Sequence, residues 1–273
     1  MIQIVTDSTA YFERAEMEKY GLKIVPLSVN FENTVSDEGF PGEFDEFFNR
    51  LAVSKDFPTT SQPSAGAFAE VYKKAIEEGK EVITITLTAK LSGTYNSAIT
   101  AAALVDQSKV TVVDSETTAA NLKELVMMAL ELSNNGLSRN EIVNILESQK
   151  KRMGVNLTVG TLEYLKKGGR LSNTGALIGN LLNIKPIIAL KDGKLVPVGK
   201  VRGRKNAIEK ISEGIPQEVK TISICHIFAL EEATEIKEYF IDKYPSATIN
   251  LEVLGPVIGA HLGPKALGVL YSY

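Results

Sequence analysis

Along the first half of the chain, short apolar runs alternate with stretches in which apolar residues recur every three or four positions. The runs Ile2–Val5, Ile24–Val29, Val82–Leu87 and Val110–Val113 read as strands. Between them, Phe68, Val71, Tyr72, Ala75 and Ile76 fall on one helix face, as do Leu122, Leu125, Val126, Ala129 and Leu130. Ser138-Arg-Asn-Glu141 has capping-box spacing, in which the hydroxyl and the carboxylate each take a backbone N–H of the first turn. It predicts a further helix with Ile142, Ile145 and Leu146 on its inner face. Strands alternating with helices predict an α/β domain with a mainly parallel sheet, because each parallel crossover needs a helix-sized connection. The acidic, aromatic segment Phe31–Phe57 has weak periodicity and is expected to form an excursion with one or two small helices.

From about residue 154 the pattern changes. A helix pair is predicted over about 161–182, interrupted at Gly168-Gly169, with Ser172 opening the second helix. Ile184–Leu190, the turn Lys191-Asp-Gly-Lys194 and Leu195–Val201 read as a hairpin. A helix near 204–214, a strand at 221–228 and a helix with Ala233, Ile236, Phe240 and Ile241 on one face follow. From Thr248 the tail reads as strand broken by glycines. The pattern predicts two domains, 1–153 with a mainly parallel sheet and 154–273 with a more antiparallel one, and contains no repeat at solenoid spacing.

With 273 residues, 44% of them hydrophobic, the chain has ample material for two cores. A net charge of −3 without a dense Lys/Arg stripe argues against nucleic acid as a partner. The single cysteine, Cys225, cannot form an internal disulfide; within Ile222-Ser-Ile-Cys-His-Ile227 it reads as a buried thiol, and His226 as a satisfied core histidine. Met1 runs directly into Ile2-Gln-Ile-Val5 and no 18-residue apolar run follows, so the expected location is cytoplasmic.

Candidate chemistry lies in three polar segments: Thr59-Thr-Ser-Gln-Pro-Ser64, Leu91-Ser-Gly-Thr-Tyr-Asn-Ser97 and the stretch from Gly160 to Ser172. Hydroxyls and open N–H donors at helix starts, with a guanidinium fixed beside a glycine pair, suit a carboxylate or phosphate. Ser92 also reads as a plain N-cap of a helix whose inner face would be Tyr95, Ala98, Ile99 and Ala102. Thr60 and Ser61, ahead of Pro63, also read as turn formers, and Arg170 as an ion-pair partner. His261, in a Gly/Pro-rich turn, suits a head-group contact or a satisfied backbone carbonyl. Asp7-Ser8 and Asp114-Ser115 end strands and read as caps and turn formers. No phosphate loop, dinucleotide fingerprint or paired-histidine zinc motif is present, so no nucleotide, metal or catalytic site is expected. Two alternatives stay open: a hydrolase or acyltransferase using Ser92 with His261 as base, and an α/β enzyme binding a small anion.

Thr60-Ser-Gln-Pro-Ser64, Leu91-Ser-Gly-Thr-Tyr-Asn-Ser-Ala98, Val113-Asp-Ser115, the segment Gly160–Ser172, Asn183-Ile-Lys-Pro-Ile-Ile188 and Gly255-Pro-Val-Ile-Gly-Ala-His-Leu-Gly-Pro264 together resemble the DegV family in order and spacing across nearly the whole chain. The resemblance implies a two-domain bacterial protein that encloses one long-chain fatty acid between its domains and serves as the binding component of a fatty acid kinase. It further implies no enzymatic activity of its own, no cofactor, a separate ATP-dependent kinase as partner, and room for peripheral membrane contact during lipid exchange. Thr60, Ser61, Ser92, Arg170 and His261 would then meet the carboxylate. The basic run Lys200, Arg202, Arg204 and Lys205 is a candidate docking segment for the kinase by charge clustering, a solvated helix start being the plain alternative. One departure stands out: Lys265 follows Gly263-Pro264 where the family usually has glycine. If that position needs a positive φ, lysine there costs roughly 1 kcal/mol.

Overall fold

The computed structural model describes residues 1–171 and 184–273. The helix predicted from Ser172 to about 182, and Asn183, lie outside the described residues. In chain order the first part comprises β1 (Ile2–Asp7), α1 (Arg14–Tyr20), β2 (Lys23–Val25), β3 (Ser28–Phe31), β4 (Thr34–Asp37), α2 (Asp45–Val53), β5 (Thr59–Ser61), α3 (Ala65–Glu77), β6 (Glu81–Thr86), α4 (Thr94–Val105), β7 (Val110–Asp114), α5 (Ala119–Asn134) and α6 (Arg139–Gln149). The second part adds β8 (Met153–Thr158), α7 (Glu163–Lys167), β9 (Ile184–Lys191), β10 (Lys194–Arg202), α8 (Arg204–Ser212), β11 (Thr221–His226), α9 (Leu230–Lys243), β12 (Thr248–Val253), α10 (Pro256–Leu262) and β13 (Leu267–Ser272). These fall into two compact units, Met1–Glu43 with Thr60–Lys151, and Phe44–Thr59 with Arg152–Tyr273. This division differs from a single cut at 153/154 in placing the α2 region, and also Arg152 and Met153, with the second unit.

The first unit holds a four-stranded sheet in the order β2-β1-β6-β7, parallel throughout. β1 continues through α1 to β2 on one side, while β6 lies on its other side, so the connections diverge between β1 and β6. Such a switch point leaves a crevice at the carboxyl ends of the strands. Phe68, Tyr72 and Ala75 of α3 and Ala98, Ala101 and Ala102 of α4 form one core with Val5, Val82 and Val110. Leu122, Leu125 and Val126 of α5 and Ile142 and Leu146 of α6 are wholly buried outside that cluster.

Several expectations need correction. The single strand Ile24–Val29 is divided: Pro26 offers no N–H to a ladder, and β2 and β3 belong to different sheets. Ile99, Ile145 and Ile241 are 41%, 37% and 46% exposed, so the inner faces of α4, α6 and α9 are narrower than expected. In α4 the alanines occupy that face and let α3 approach closely. α1 buries no residue and therefore carries no apolar stripe to read. The excursion supplies one helix, α2, together with the β3–β4 hairpin.

The second unit holds a six-stranded sheet, β10-β9-β8-β13-β11-β12, antiparallel except for the β11–β12 pair. Asp192 and Gly193 both take positive φ in the β9–β10 turn, as a two-residue hairpin loop requires. Ala207, Ile208 and Ile211 of α8 and Ala233, Ile236 and Phe240 of α9 pack with Ile222, Ile224 and Val269 of the sheet. The tail is not merely broken strand, because α10 stands between β12 and β13 with Pro256 at its start, where a missing N–H is harmless. No helix among the described residues is long and apolar enough to cross a membrane.

Candidate ligand-binding site

In the first unit Ser92 lies in the loop that follows β6 at the switch point, and Gln62, which follows Thr60 and Ser61, lies against that loop. Asp7, wholly buried at the end of β1, accepts hydrogen bonds from the Thr9 N–H (3.0 Å) and hydroxyl (2.6 Å) and reaches across to the Leu87 N–H at 2.7 Å. Burial pushes its carboxyl up to about 6 even though those three hydrogen bonds pull the other way. Beyond Leu87 the chain is pinned again: Ala89 N–H donates to Asp114 Oδ1 at 3.1 Å, and the N–H groups of Leu91 and Ser92 turn back to the Thr88 carbonyl. Ser92 is thereby set at the mouth of the crevice. It is not the N-cap of α4; Gly93 holds that position, and Ser92 Oγ accepts the Thr94 N–H at 3.3 Å and shares a hydrogen bond with Thr94 Oγ1 at 2.9 Å.

Thr60 and Ser61 lie in the short edge strand β5 instead of a turn, Thr60 half-buried and Ser61 exposed. Gln62 follows, and a β-carbon at Gly93 would stand 2.4 Å from its side-chain nitrogen, so this glycine lets the Gln62 amide lie against the Ser92 loop. Gln62 is a neighbour of the Ser92 loop that the sequence reading passed over. Its signal was its place in the Thr-Ser-Gln-Pro-Ser segment, where a polar side chain precedes a proline that is itself buried.

In the second unit, Arg170 and His261 come together through a reciprocal contact of α7 and α10. A β-carbon on Gly168, which ends α7, would meet His261 Nδ1 at 2.3 Å; one on Gly263, which ends α10, would meet the Tyr164 ring of α7 at 2.3 Å. Each helix thus ends on a glycine that receives a ring from the other. Gly169, at φ +67, reverses the chain, Arg170 Nη1 donates to the Gly168 carbonyl at 2.6 Å, and Leu171 is fixed by a bridge to Leu195 of β10. His261 lies in the last turn of α10, not in an irregular turn. Burial first, and then the positive charge of Arg170, push its imidazole down to about 4. A ring so weakly basic is neutral at physiological pH and poorly suited to act as a general base.

Asp114 forms the expected turn, its Oδ1 accepting the Glu116 N–H at 3.0 Å. Cys225 is a buried thiol. His226 departs from expectation: it is 4% exposed, but neither ring nitrogen has a hydrogen-bond partner among the described residues. In the basic run, Lys200, Arg202 and Lys205 are exposed, while Arg204 is half-buried and committed to Glu232 at 2.7 Å. Lys265 adopts φ +62, the backbone conformation that makes a lysine unfavourable there. Among the described residues no group of His, Cys, Asp or Glu could hold a metal ion.

All of residues 1–273 match the DegV family, described as uncharacterised proteins. The chain belongs to the DegV family. DegV of Bacillus subtilis is 35% identical over 281 residues, covering 100% of this chain and 99% of its own. Its crystal structure, that of a fatty acid binding protein, superposes with a TM-score of 0.86 at 34% identity. A DegV family protein of Thermus thermophilus, solved for its fatty acid binding, gives a TM-score of 0.87 at 34% identity and covers 100% of this chain and 99% of that one. A stearic acid-binding protein of Eubacterium ventriosum gives 0.86 at 29% identity, with coverages of 100% and 98%.

Proposed function

We propose that this DegV protein binds one long-chain fatty acid, holds its carboxylate with Ser92, Thr60 or Ser61, Arg170 and His261, and presents it to a separate ATP-dependent kinase for acyl-phosphate formation. The observation that supports this most directly is the full-length likeness to the Thermus and Bacillus proteins, both described as fatty acid binders. The site chemistry agrees with it: the Ser92 hydroxyl at a switch point and a guanidinium beside a neutral imidazole can each donate to a carboxylate without transferring a proton. The depressed His261 favours binding over the alternative in which it activates Ser92 as a nucleophile. Burying some 14 to 16 methylenes contributes on the order of 10 kcal/mol before chain ordering is subtracted, so affinity comes from the acyl chain and orientation from the head-group contacts.

Mass spectrometry of an organic extract of the purified protein tests the reading. About one fatty acid per chain is expected; an empty extract together with no thermal shift on adding palmitate or oleate rejects it.

A further inference from the structure

In the second unit α10 is held from opposite sides. Its Gly259 and His261 stand two positions apart, which in an α-helix turns them about 200° from one another. On the first side a β-carbon at Gly259 would lie 2.5 Å from Cε1 and 2.8 Å from Cζ of Phe48, so this ring of α2 fills the notch that the glycine leaves. On the other side the His261 ring fills the notch at Gly168. Phe48 is 2% exposed and is itself walled in by Phe47, at 5.1 Å between ring centroids, and by Phe228, at 5.9 Å. It cannot withdraw without opening a cavity, so it fixes how far α10 presses His261 against α7. α7 is braced in turn. The Tyr164 ring, seated on Gly263 at the end of α10, lies 5.0 Å from the ring of Phe57, and Lys167 Nζ stands 3.4 Å from the Phe57 centroid. Phe57 thus holds α7 by two side chains of one helical face, just ahead of the Gly168 carbonyl to which Arg170 donates. Both braces belong to one segment, Phe44–Thr59, which packs with the second unit and runs directly into Thr60 and Ser61. Neither ring is among the carboxylate contacts.

We propose that Phe48 and Phe57 are positioning residues for the carboxylate site: they clamp α10 and α7 together, set His261 and Arg170, and thereby set the rate at which a bound head group is released. The effect on release rests on the fatty acid reading, whereas the effect on His261 does not and is measured in the ligand-free protein. His261 is one of two histidines, so its ring resonances can be followed in the full chain, with His261→Asn making the assignment. Phe48→Leu and Phe57→Leu should each move those resonances and raise the titration midpoint of the ring from about 4 toward the ordinary 6.5, because a loosened ring takes up water. In the loaded protein each should speed transfer of a fluorescent fatty acid to acceptor vesicles roughly three- to tenfold, the scale of one lost aromatic contact. Phe57→Tyr keeps a ring for Lys167 and Tyr164 and should behave like the parent. Phe240→Leu makes the same substitution in the core beneath α9, and should lower the melting temperature without moving either readout. A parental midpoint in Phe48→Leu or in Phe57→Leu, or an equal shift in Phe240→Leu, would overturn the proposal. A midpoint that moves in both variants while the parent binds no fatty acid would uphold the clamp and reject the ligand reading instead.

Discussion

His261 lies so close to Gly168 that a β-carbon there would stand 2.3 Å from Nδ1 of the imidazole, with the Tyr164 carbonyl 3.1 Å away on the helix side. The neighbouring backbone cannot yield, so the ring must move. Gly168→Ala is therefore expected to displace His261 and reduce fatty acid retention at least tenfold, with a stability loss of roughly 1–3 kcal/mol from overpacking. Gly169→Ala adds the same methyl group where nothing lies within 4 Å and strains only the backbone at φ +67. If ligand retention, measured by mass spectrometry after dialysis, falls equally in both variants, the loss follows stability and not the placement of His261.

Asp7 ties the ends of β1 and β6 together, so its removal should loosen the loop that carries Ser92. Asp7→Ala leaves the N–H groups of Leu87 and Thr9 without their acceptor and should destabilise the protein by roughly 2–4 kcal/mol. The pH dependence has a defined sign. Burial pushes the native carboxyl up to about 6 from the ordinary 3.8, so the folded state binds the proton more tightly. The contribution of this group is fully present below pH 3.8 and is lost as pH rises to 6, a change of about 3 kcal/mol. Urea unfolding of parent and variant across that window should show the difference in stability narrowing as pH rises. A constant difference would mean that Asp7 titrates normally.

The strongest sequence signals were those with a local physical cause. The capping box Ser138–Glu141, the Asp192-Gly193 turn and the buried stripes of α3 and α5 each follow from interactions within a few residues, and each is present. α1 was not legible because it buries nothing, and the grouping of α2 with the second unit was not legible because Phe48 gains its partners, Gly259 and Phe228, from far along the chain. Motif spacing singled out Ser92, Arg170, His261 and the glycine pair at 168–169, but not that Gly93 admits the Gln62 amide or that Gly168 receives the His261 ring. The roles of Gly93 and Gly168 depend on which side chain approaches, a tertiary fact with no local pattern.

Ser92→Ala and Arg170→Ala should each weaken ligand retention by roughly 1–3 kcal/mol, the scale of a lost hydrogen bond to a charged group, while the fold survives. Because burial and Arg170 push His261 to about 4, retention should show no titration step of this ring between about pH 8 and 6. Competition with a fluorescent fatty acid measures both. A step centred near 6.5, the ordinary histidine value, would place the imidazole in water and remove it from the site.

Acyl phosphate should form only when a kinase is present; purified protein, fatty acid and ATP alone should give none, and turnover in that mixture would reject the carrier reading. The two arginines after the hairpin are not equivalent probes of kinase docking. Arg202 is exposed, so Arg202→Glu reverses a solvent-facing charge and should slow phosphorylation with a steeper salt dependence while lipid remains bound. Arg204→Glu instead sets a carboxylate against Glu232 in place of a 2.7 Å ion pair and should also lower the melting temperature. Comparing the initial rate of acyl-phosphate formation with thermal stability separates these effects. If Arg202→Glu leaves the rate and its salt dependence unchanged, the basic run is a solvated helix start and docking lies elsewhere.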